Sequence, residues 1–164
     1  MQVNFKGNPV TLVGKEVKVG DTFRDFVVSK NDLSPLTLKD TKGVRIFLAV
    51  PSVDTSVCDL EVRTFNEKVS ELKGVTVYTV SMDLPFAQAR WCAAEGIENV
   101  VTVSDYKDRA FGEATGTYVK ELGLLTRAAF VVDSDNKVTH VEYLGEIAEQ
   151  PKFEEIINAA KAAK

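Results

Sequence analysis

The spacing of apolar residues changes several times along this chain, and each change predicts a different element. Residues 44–50 are rich in β-branched and aromatic residues without alternation, and 75–80 are similar, which is typical of strands that are buried on both faces of a sheet. The segment between them carries a stripe at helical spacing, and Gly74 ends the predicted helix. The residues of this stripe are Val57, Leu60, Glu61, Phe65, Val69 and Leu72.

The same reasoning covers the rest of the chain. Short strands are predicted at 3–5, 10–13, 17–19, 26–28, 36–38 and 100–103, and a hairpin at 128–132 and 138–143. Further helices are predicted from Asp83 and Pro85 to Gly96, at 110–114 and at 152–163. This order predicts an α/β protein with a thioredoxin-like fold, a mixed central sheet, flanking helices and an N-terminal β-hairpin extension around the turn 6–9.

Composition narrows the class of protein. A chain of 164 residues with 45% hydrophobic and 27% charged residues fits one soluble domain, predicted over 1–164. A formal net charge of -4 without a basic cluster makes nucleic acid an unexpected partner. The longest apolar run, 46–50, is too short to span a bilayer, and the polar start does not resemble a secretory signal. We therefore expect a cytoplasmic protein that does not bind membranes.

The two cysteines are the first candidates for chemistry. Cytosolic thiols are kept reduced, so a cytosolic disulfide is usually transient and catalytic. The alternative is that Cys58 and Cys92 are simply small buried hydrophobic residues. With His140 as the single histidine, the chain offers too few ligands for a zinc site and no convincing base for a cysteine protease.

The segment that joins the first buried strand to the first long helix has the pattern Pro51-x-x-x-Thr55-x-x-Cys58. The pattern places Cys58 in the first turn of a helix, where free backbone N–H groups and the helix dipole favour the thiolate. The Thr55 hydroxyl can turn back toward the sulfur or toward a small polar substrate. A purely structural interpretation makes Thr55 a helix cap and Cys58 a packed residue.

This segment resembles the active-site motif of the peroxiredoxins, and the resemblance covers nearly the whole chain. Among them the chain is most similar to the atypical two-cysteine subfamily of bacterial thiol peroxidases. Four further stretches carry the similarity. They are 5–10 (Phe-Lys-Gly-Asn-Pro-Val), 81–87 (Ser-Met-Asp-Leu-Pro-Phe-Ala), 90–92 (Arg-Trp-Cys) and 123–128 (Gly-Leu-Leu-Thr-Arg-Ala).

The resemblance implies a role for each site residue. It makes Cys58 the peroxide-reacting cysteine, with Thr55, Pro51 and Arg127 as its active-site partners, and Cys92 the resolving cysteine that forms a disulfide with Cys58. It further implies an antioxidant enzyme that reduces hydrogen peroxide and organic hydroperoxides, is recycled by thioredoxin, forms a homodimer and needs no metal or organic cofactor. From the residues alone, Arg127 could equally be a surface arginine and Cys92 a buried helix residue.

A second hypothesis from another class is a thioredoxin-like binding or redox-sensing module without turnover. Three finer expectations accompany the peroxidase hypothesis. The pKa of Cys58 should lie below that of a free thiol; residues 57–60 and 91–94 should rearrange on oxidation; and an apolar collar could favour alkyl hydroperoxides. The predicted collar consists of Phe23, Phe26, Leu84 and Phe86.

Overall fold

The computed structural model describes residues 2–164, which form twelve strands and four α-helices. The strands are β1 (Val3–Phe5), β2 (Asn8–Val10), β3 (Leu12–Val13), β4 (Val27–Ser29), β5 (Pro35–Thr37), β6 (Val44–Ala49), β7 (Val75–Ser81), β8 (Val100–Ser104), β9 (Tyr118–Val119), β10 (Leu124–Leu125), β11 (Ala128–Val132) and β12 (Val138–Tyr143). The helices are α1 (Ser56–Val69), α2 (Pro85–Glu95), α3 (Ala110–Thr115) and α4 (Phe153–Ala162).

Seven strands form the central sheet in the order β12-β11-β6-β7-β8-β4-β5. The pairs β6–β7 and β7–β8 are parallel and the other pairs are antiparallel, so the predicted mixed sheet is confirmed. Since a parallel pair needs a crossover, α1 connects β6 to β7 and α2 connects β7 to β8. The starts of both helices therefore lie at the same edge of the sheet, where the strands β6 and β7 end.

Both faces of this sheet are covered, which explains why its central strands are apolar without alternation. On one face, Phe47 of β6 packs with Phe23, Phe111 and Phe130. On the other face, Ile46 and Leu48 pack with residues of α1 and α4 such as Phe65 and Ile156. All six residues of β6 are buried, and this packing fixes the end of the strand from which the loop at 50–55 starts.

The N-terminal region differs from the prediction in detail. The hairpin exists, but it joins β1 to β2 through Lys6 and Gly7, which both have positive φ angles of 52° and 80°. Strand β3 leaves the hairpin and pairs with β9. The strand predicted at 17–19 is wrong: the N–H of Val17 donates to the side-chain hydroxyl of Tyr143 at 2.9 Å instead of to a backbone carbonyl of a paired strand.

Across residues 2–164, no helix combines the length and the hydrophobicity needed to cross a bilayer.

Candidate active site

Cys58 lies in the first turn of α1, just after the loop that leaves β6. The N–H of Val50 still donates to the Val80 carbonyl at 3.0 Å, but Pro51 has no N–H and cannot continue the ladder. Thr55 is the N-cap of α1, and its hydroxyl oxygen accepts from the N–H of Cys58 at 3.2 Å. Such a cap stabilises a helix by about 1 kcal/mol. Thr55 therefore fixes the position of Cys58 through the backbone.

Two polar side chains from elsewhere in the chain hold this loop and the first turn of α1. The Asp83 carboxylate, just after β7, accepts from the Ser52 hydroxyl at 2.7 Å and from the Val53 N–H at 2.9 Å. The Gln150 amide donates to the carbonyl of Val57 at 3.0 Å. The sequence predicts that helix α2 starts at Asp83 and Pro85, but Leu84 is the N-cap of α2 and the Asp83 carboxylate binds the loop instead.

Arg127 reaches the sulfur from the neighbouring strand of the sheet. The register pairs Ala128 of β11 with Ala49 of β6, which places Arg127 beside the end of β6. Its guanidinium donates to Cys58 Sγ at 3.0 Å, to Glu61 Oε1 at 2.8 Å and to the Ile147 carbonyl at 2.9 Å. Arg127 is 2% exposed, so the interpretation as a surface arginine is wrong.

Glu61 is the charged partner that sequence reasoning did not assign to the site. It lies three residues after Cys58, hence on the same side of α1, and it is fully buried. Its Oε2 has no hydrogen-bond partner among residues 2–164. Burial raises the pKa of Glu61 to about 7, although the charge of Arg127 acts in the opposite direction. Two acidic groups, the Glu61 carboxyl and the Cys58 thiol, thus share one buried cation.

The ionisation of Cys58 reflects this environment. Burial raises the pKa of the Cys58 thiol, while the charge of Arg127, the Thr55 hydroxyl and the Ser52 backbone act to lower it. The expectation from the sequence that the pKa of Cys58 is lowered is wrong for this structure, in which the thiol is fully buried. That expectation included the favourable charges but not the cost of burying an anion. Arg127 is the largest opposing contribution, which makes it the residue that most favours the thiolate here.

Replacing Glu61 by glutamine is expected to lower the pKa of Cys58, because the carboxylate is a nearby negative charge that raises it. As the pH rises through about 7, Glu61 ionises and opposes thiolate formation; in Glu61→Gln this opposition is absent at every pH. The measurement is the ultraviolet absorbance of the thiolate against pH, with Cys92→Ser as the common background. A pKa of Cys58 that is unchanged or higher in Glu61→Gln would contradict the shared use of Arg127.

Cys92 lies apart from this group. It is half-buried on α2, and its Sγ is 3.3 Å from the hydroxyl of Thr102 on β8. Burial raises the pKa of Cys92, and the contact with Thr102 acts in the opposite direction. Both cysteines are free thiols in this structure. Thr55, Cys58 and Arg127 are therefore brought together and Pro51 lies in the same loop, whereas Cys92 contacts a different strand.

The predicted apolar collar is not formed as a unit. Phe23 and Phe26 are buried in the core on the opposite face of the sheet from α1. Leu84 and Phe86 are instead 53% and 66% exposed. Phe86 lines a cleft of about 610 Å³ together with Ser52, Asp83 and Trp91, beside the loop that precedes Cys58.

Within the described part of the chain, no three His, Cys, Asp or Glu side chains converge in a way that could hold a metal ion.

Comparison with known proteins shows which family and which proteins this chain is similar to. Residues 18–157 match the protein family described as Redoxin. A thiol peroxidase from Clostridium acetobutylicum is 65% identical over 164 residues, which is the full length of both chains. A thiol peroxidase from Bacillus subtilis is 54% identical over 98% of this chain and 97% of its own.

Solved structures show the same fold. A peroxiredoxin-like protein from Aquifex aeolicus is similar with a TM-score of 0.92 and 42% identity, over 98% of this chain and 96% of its own. A thiol peroxidase from Chromobacterium violaceum has a TM-score of 0.89 at 18% identity, over 99% and 96% of the two chains. At that low identity the second similarity concerns the fold alone.

Proposed function

Since this chain belongs to the Redoxin family, as a peroxiredoxin-type peroxidase of the bacterial thiol peroxidases, we propose that Cys58 is the residue that reduces its peroxide substrates. The observation that carries this proposal is the contact of 3.0 Å between Cys58 Sγ and the buried guanidinium of Arg127. A cation that is held next to a thiol by two further hydrogen bonds favours the thiolate, which is the nucleophilic form of cysteine.

In the first step the Cys58 thiolate attacks one oxygen of a peroxide, ROOH. The S–O bond forms as the O–O bond breaks, and two electrons pass from sulfur to the departing oxygen. The products are the sulfenic acid of Cys58 and RO⁻, which takes up a proton equivalent to the one that the thiol released, giving water or an alcohol. Arg127 faces the sulfur, so its N–H groups can also stabilise the oxygen on which negative charge develops.

In the second step the Cys92 thiol attacks the sulfur of the sulfenic acid. A Cys58–Cys92 disulfide forms and one water leaves, so that no further oxidant is needed. A dithiol protein of the thioredoxin type then reduces the disulfide by thiol–disulfide exchange and becomes oxidised itself. Both cysteines are free thiols in the present structure, which corresponds to the reduced state at the start of this cycle.

Hydrogen peroxide and organic hydroperoxides are the proposed substrates. The exposed Phe86 and the partly buried Trp91 border a cleft of about 610 Å³ that has room for an organic group. A comparison of rates with hydrogen peroxide and cumene hydroperoxide tests this use of the cleft.

Assembly as a homodimer and action in the cytoplasm belong to the same proposal. Sedimentation tests the dimer, and a protein that is only monomeric at micromolar concentration would contradict it.

The experiment that tests the proposal is a coupled assay with thioredoxin, its reductase and NADPH. A peroxidase consumes many equivalents of peroxide for each protein molecule, with matching oxidation of NADPH. A protein that reacts once with peroxide and then stops, even in the presence of thioredoxin, would instead be a sensor. That outcome would contradict the recycling proposed here.

Replacing Arg127 by lysine is expected to slow the oxidation of Cys58 by about 10- to 100-fold, the range that corresponds to losing one charge-assisted hydrogen bond. Lysine keeps the charge, but it cannot donate to Cys58, Glu61 and Ile147 at once from a planar fork. The rate is measured with one equivalent of peroxide in rapid mixing. Arg109→Lys, at an exposed arginine outside the site, is the control. Native speed in Arg127→Lys would show that the fork is not needed.

A further inference from the structure

The two thiols are held by different strands of the sheet, which matters for the disulfide in the proposed function. Arg127, which holds Cys58, precedes β11, whereas Thr102, next to Cys92, belongs to β8. Strands β6 and β7 lie between them, so the two strands are three spacings apart, or roughly 14 Å. The sulfur atoms of a disulfide are only about 2 Å apart. Because both cysteines are free thiols held by these separate contacts, a disulfide between them requires the start of α1 and the Cys92 segment of α2 to move relative to each other.

Four polar side chains next to the cysteines oppose this movement. Asp59 directly follows Cys58, and its Oδ1 accepts from the indole N–H of Trp91 at 3.1 Å. Its Oδ2 pairs with Arg63 Nε at 3.0 Å, and the same guanidinium also pairs with Glu95. Trp91 directly precedes Cys92 and Glu95 follows it on α2. Asp59 and Arg63 of α1 are thus tied to both sides of Cys92 on α2.

Trp91 also packs beside the buried thiol. Its side chain lies against the cluster of Val50, Val53 and Cys58, while Cys58 itself is fully buried. Because Trp91 directly precedes Cys92, moving Cys92 to Cys58 must change this packing. The side chains of Arg63, Glu95 and Asp59 are 46%, 31% and 29% exposed, so their contacts are individually weak and can break and re-form readily.

We propose that Asp59, Arg63, Trp91 and Glu95 form an interhelix latch that sets the rate of disulfide formation. The latch holds the two helices in the arrangement in which Cys58 contacts Arg127, and it must open before Cys92 can reach the sulfenic acid. These four are positioning residues for the second step. While the latch is closed, a second peroxide can oxidise the sulfenic acid to sulfinic acid, an irreversible product for most thiols. The latch therefore also sets the sensitivity of the protein to excess peroxide.

The chain offers a matched control for this proposal. At the other end of α1, Lys68 pairs with Glu154 of α4 at 2.9 Å. This pair resembles the contact between Arg63 and Glu95 in being an ion pair between two helices. It ties α1 to α4 and does not involve α2, so its loss should leave disulfide formation unchanged.

The test compares the native protein with Trp91→Phe, Glu95→Gln and the control Glu154→Gln. One equivalent of peroxide is mixed rapidly with each, thiols are blocked at set times, and mass spectrometry follows the sulfenic acid and the Cys58–Cys92 disulfide. Trp91→Phe keeps an aromatic ring without the N–H donor, and Glu95→Gln removes one charge. We expect disulfide formation to be about three- to tenfold faster in both latch variants and unchanged in Glu154→Gln.

A second readout separates positioning from general loosening of the fold. Excess peroxide is added, and the concentration that converts half of the protein to sulfinic acid is determined. If disulfide formation competes with oxidation to sulfinic acid, the peroxide concentration at half conversion must rise by the same factor as the rate of disulfide formation. Unchanged rates in both latch variants, or an equal increase in Glu154→Gln, would overturn the latch while leaving the peroxidase proposal intact. A native protein that forms no Cys58–Cys92 disulfide would overturn both.

Discussion

Replacing Cys58 by serine is expected to lower the rate of peroxide reduction by about a thousandfold or more. A hydroxyl group at this position cannot ionise appreciably near neutral pH, and its oxygen is a poor nucleophile compared with a thiolate. Serine fits the same fully buried space and can accept the hydrogen bond from Arg127, so the fold should persist. The steady-state assay with thioredoxin gives the rate, and the melting temperature checks the fold. A rate within tenfold of the native one would show that the reacting group lies elsewhere.

Replacing Cys92 by serine is expected to stop turnover after one equivalent of peroxide. The first step needs only Cys58 and its neighbours, so the first equivalent should be consumed at close to the native rate. The sulfenic acid then has no thiol partner in the chain, and since Cys58 is fully buried, a protein dithiol cannot easily reach it. Steady-state turnover should fall at least about a hundredfold, because only this slow direct reduction remains.

The first equivalent separates a resolving role of Cys92 from a general structural role. Cys92→Ser keeps an atom that can contact the Thr102 hydroxyl, now 3.3 Å from the sulfur, so a structural disturbance should be small. Loss of the rapid first reaction in Cys92→Ser would indicate that Cys92 supports the site itself. Sustained turnover at the native rate would show that no resolving thiol is needed.

The local part of the site could be predicted from the sequence because it depends on residues that are close along the chain. A cap at Thr55, three residues before Cys58, follows from helix geometry, and the structure contains this cap. The missing N–H of Pro51 similarly marks the end of the β6 ladder. The central strands and the hairpin of β11 and β12 were also predictable, because buried runs and a polar turn are local patterns.

Contacts between residues that are far apart along the chain could not be predicted in this way. Arg127 is 69 positions away from Cys58 along the chain, and only the family resemblance pointed to it, because the pairing of β11 with β6 does not follow from a local pattern. Asp83 and Gln150 lie in loops and bind the active-site region. Such contacts do not follow from the spacing of apolar residues along the sequence. The opposing effect of burial on the pKa of Cys58 also depends on packing that the sequence does not specify.

Glu61 is a different case, since the sequence did contain a signal for it. It falls on the apolar stripe of α1 between Leu60 and Phe65, at a position that should be buried. A carboxylate on a buried helix face, three residues after a candidate nucleophile, requires a cationic partner. The structure identifies that partner as the buried Arg127.

The most direct test of the central claim is to identify the sulfur atom that first receives oxygen from the peroxide. One equivalent of hydrogen peroxide is added to Cys92→Ser and to Cys58→Ser in the presence of a reagent that traps sulfenic acids, and the modified residue is located by mass spectrometry. If Cys58 is the reacting thiol, Cys92→Ser gives one adduct, on Cys58, and Cys58→Ser gives essentially none in the same time. An adduct on Cys92 that forms as fast in Cys58→Ser would contradict the account.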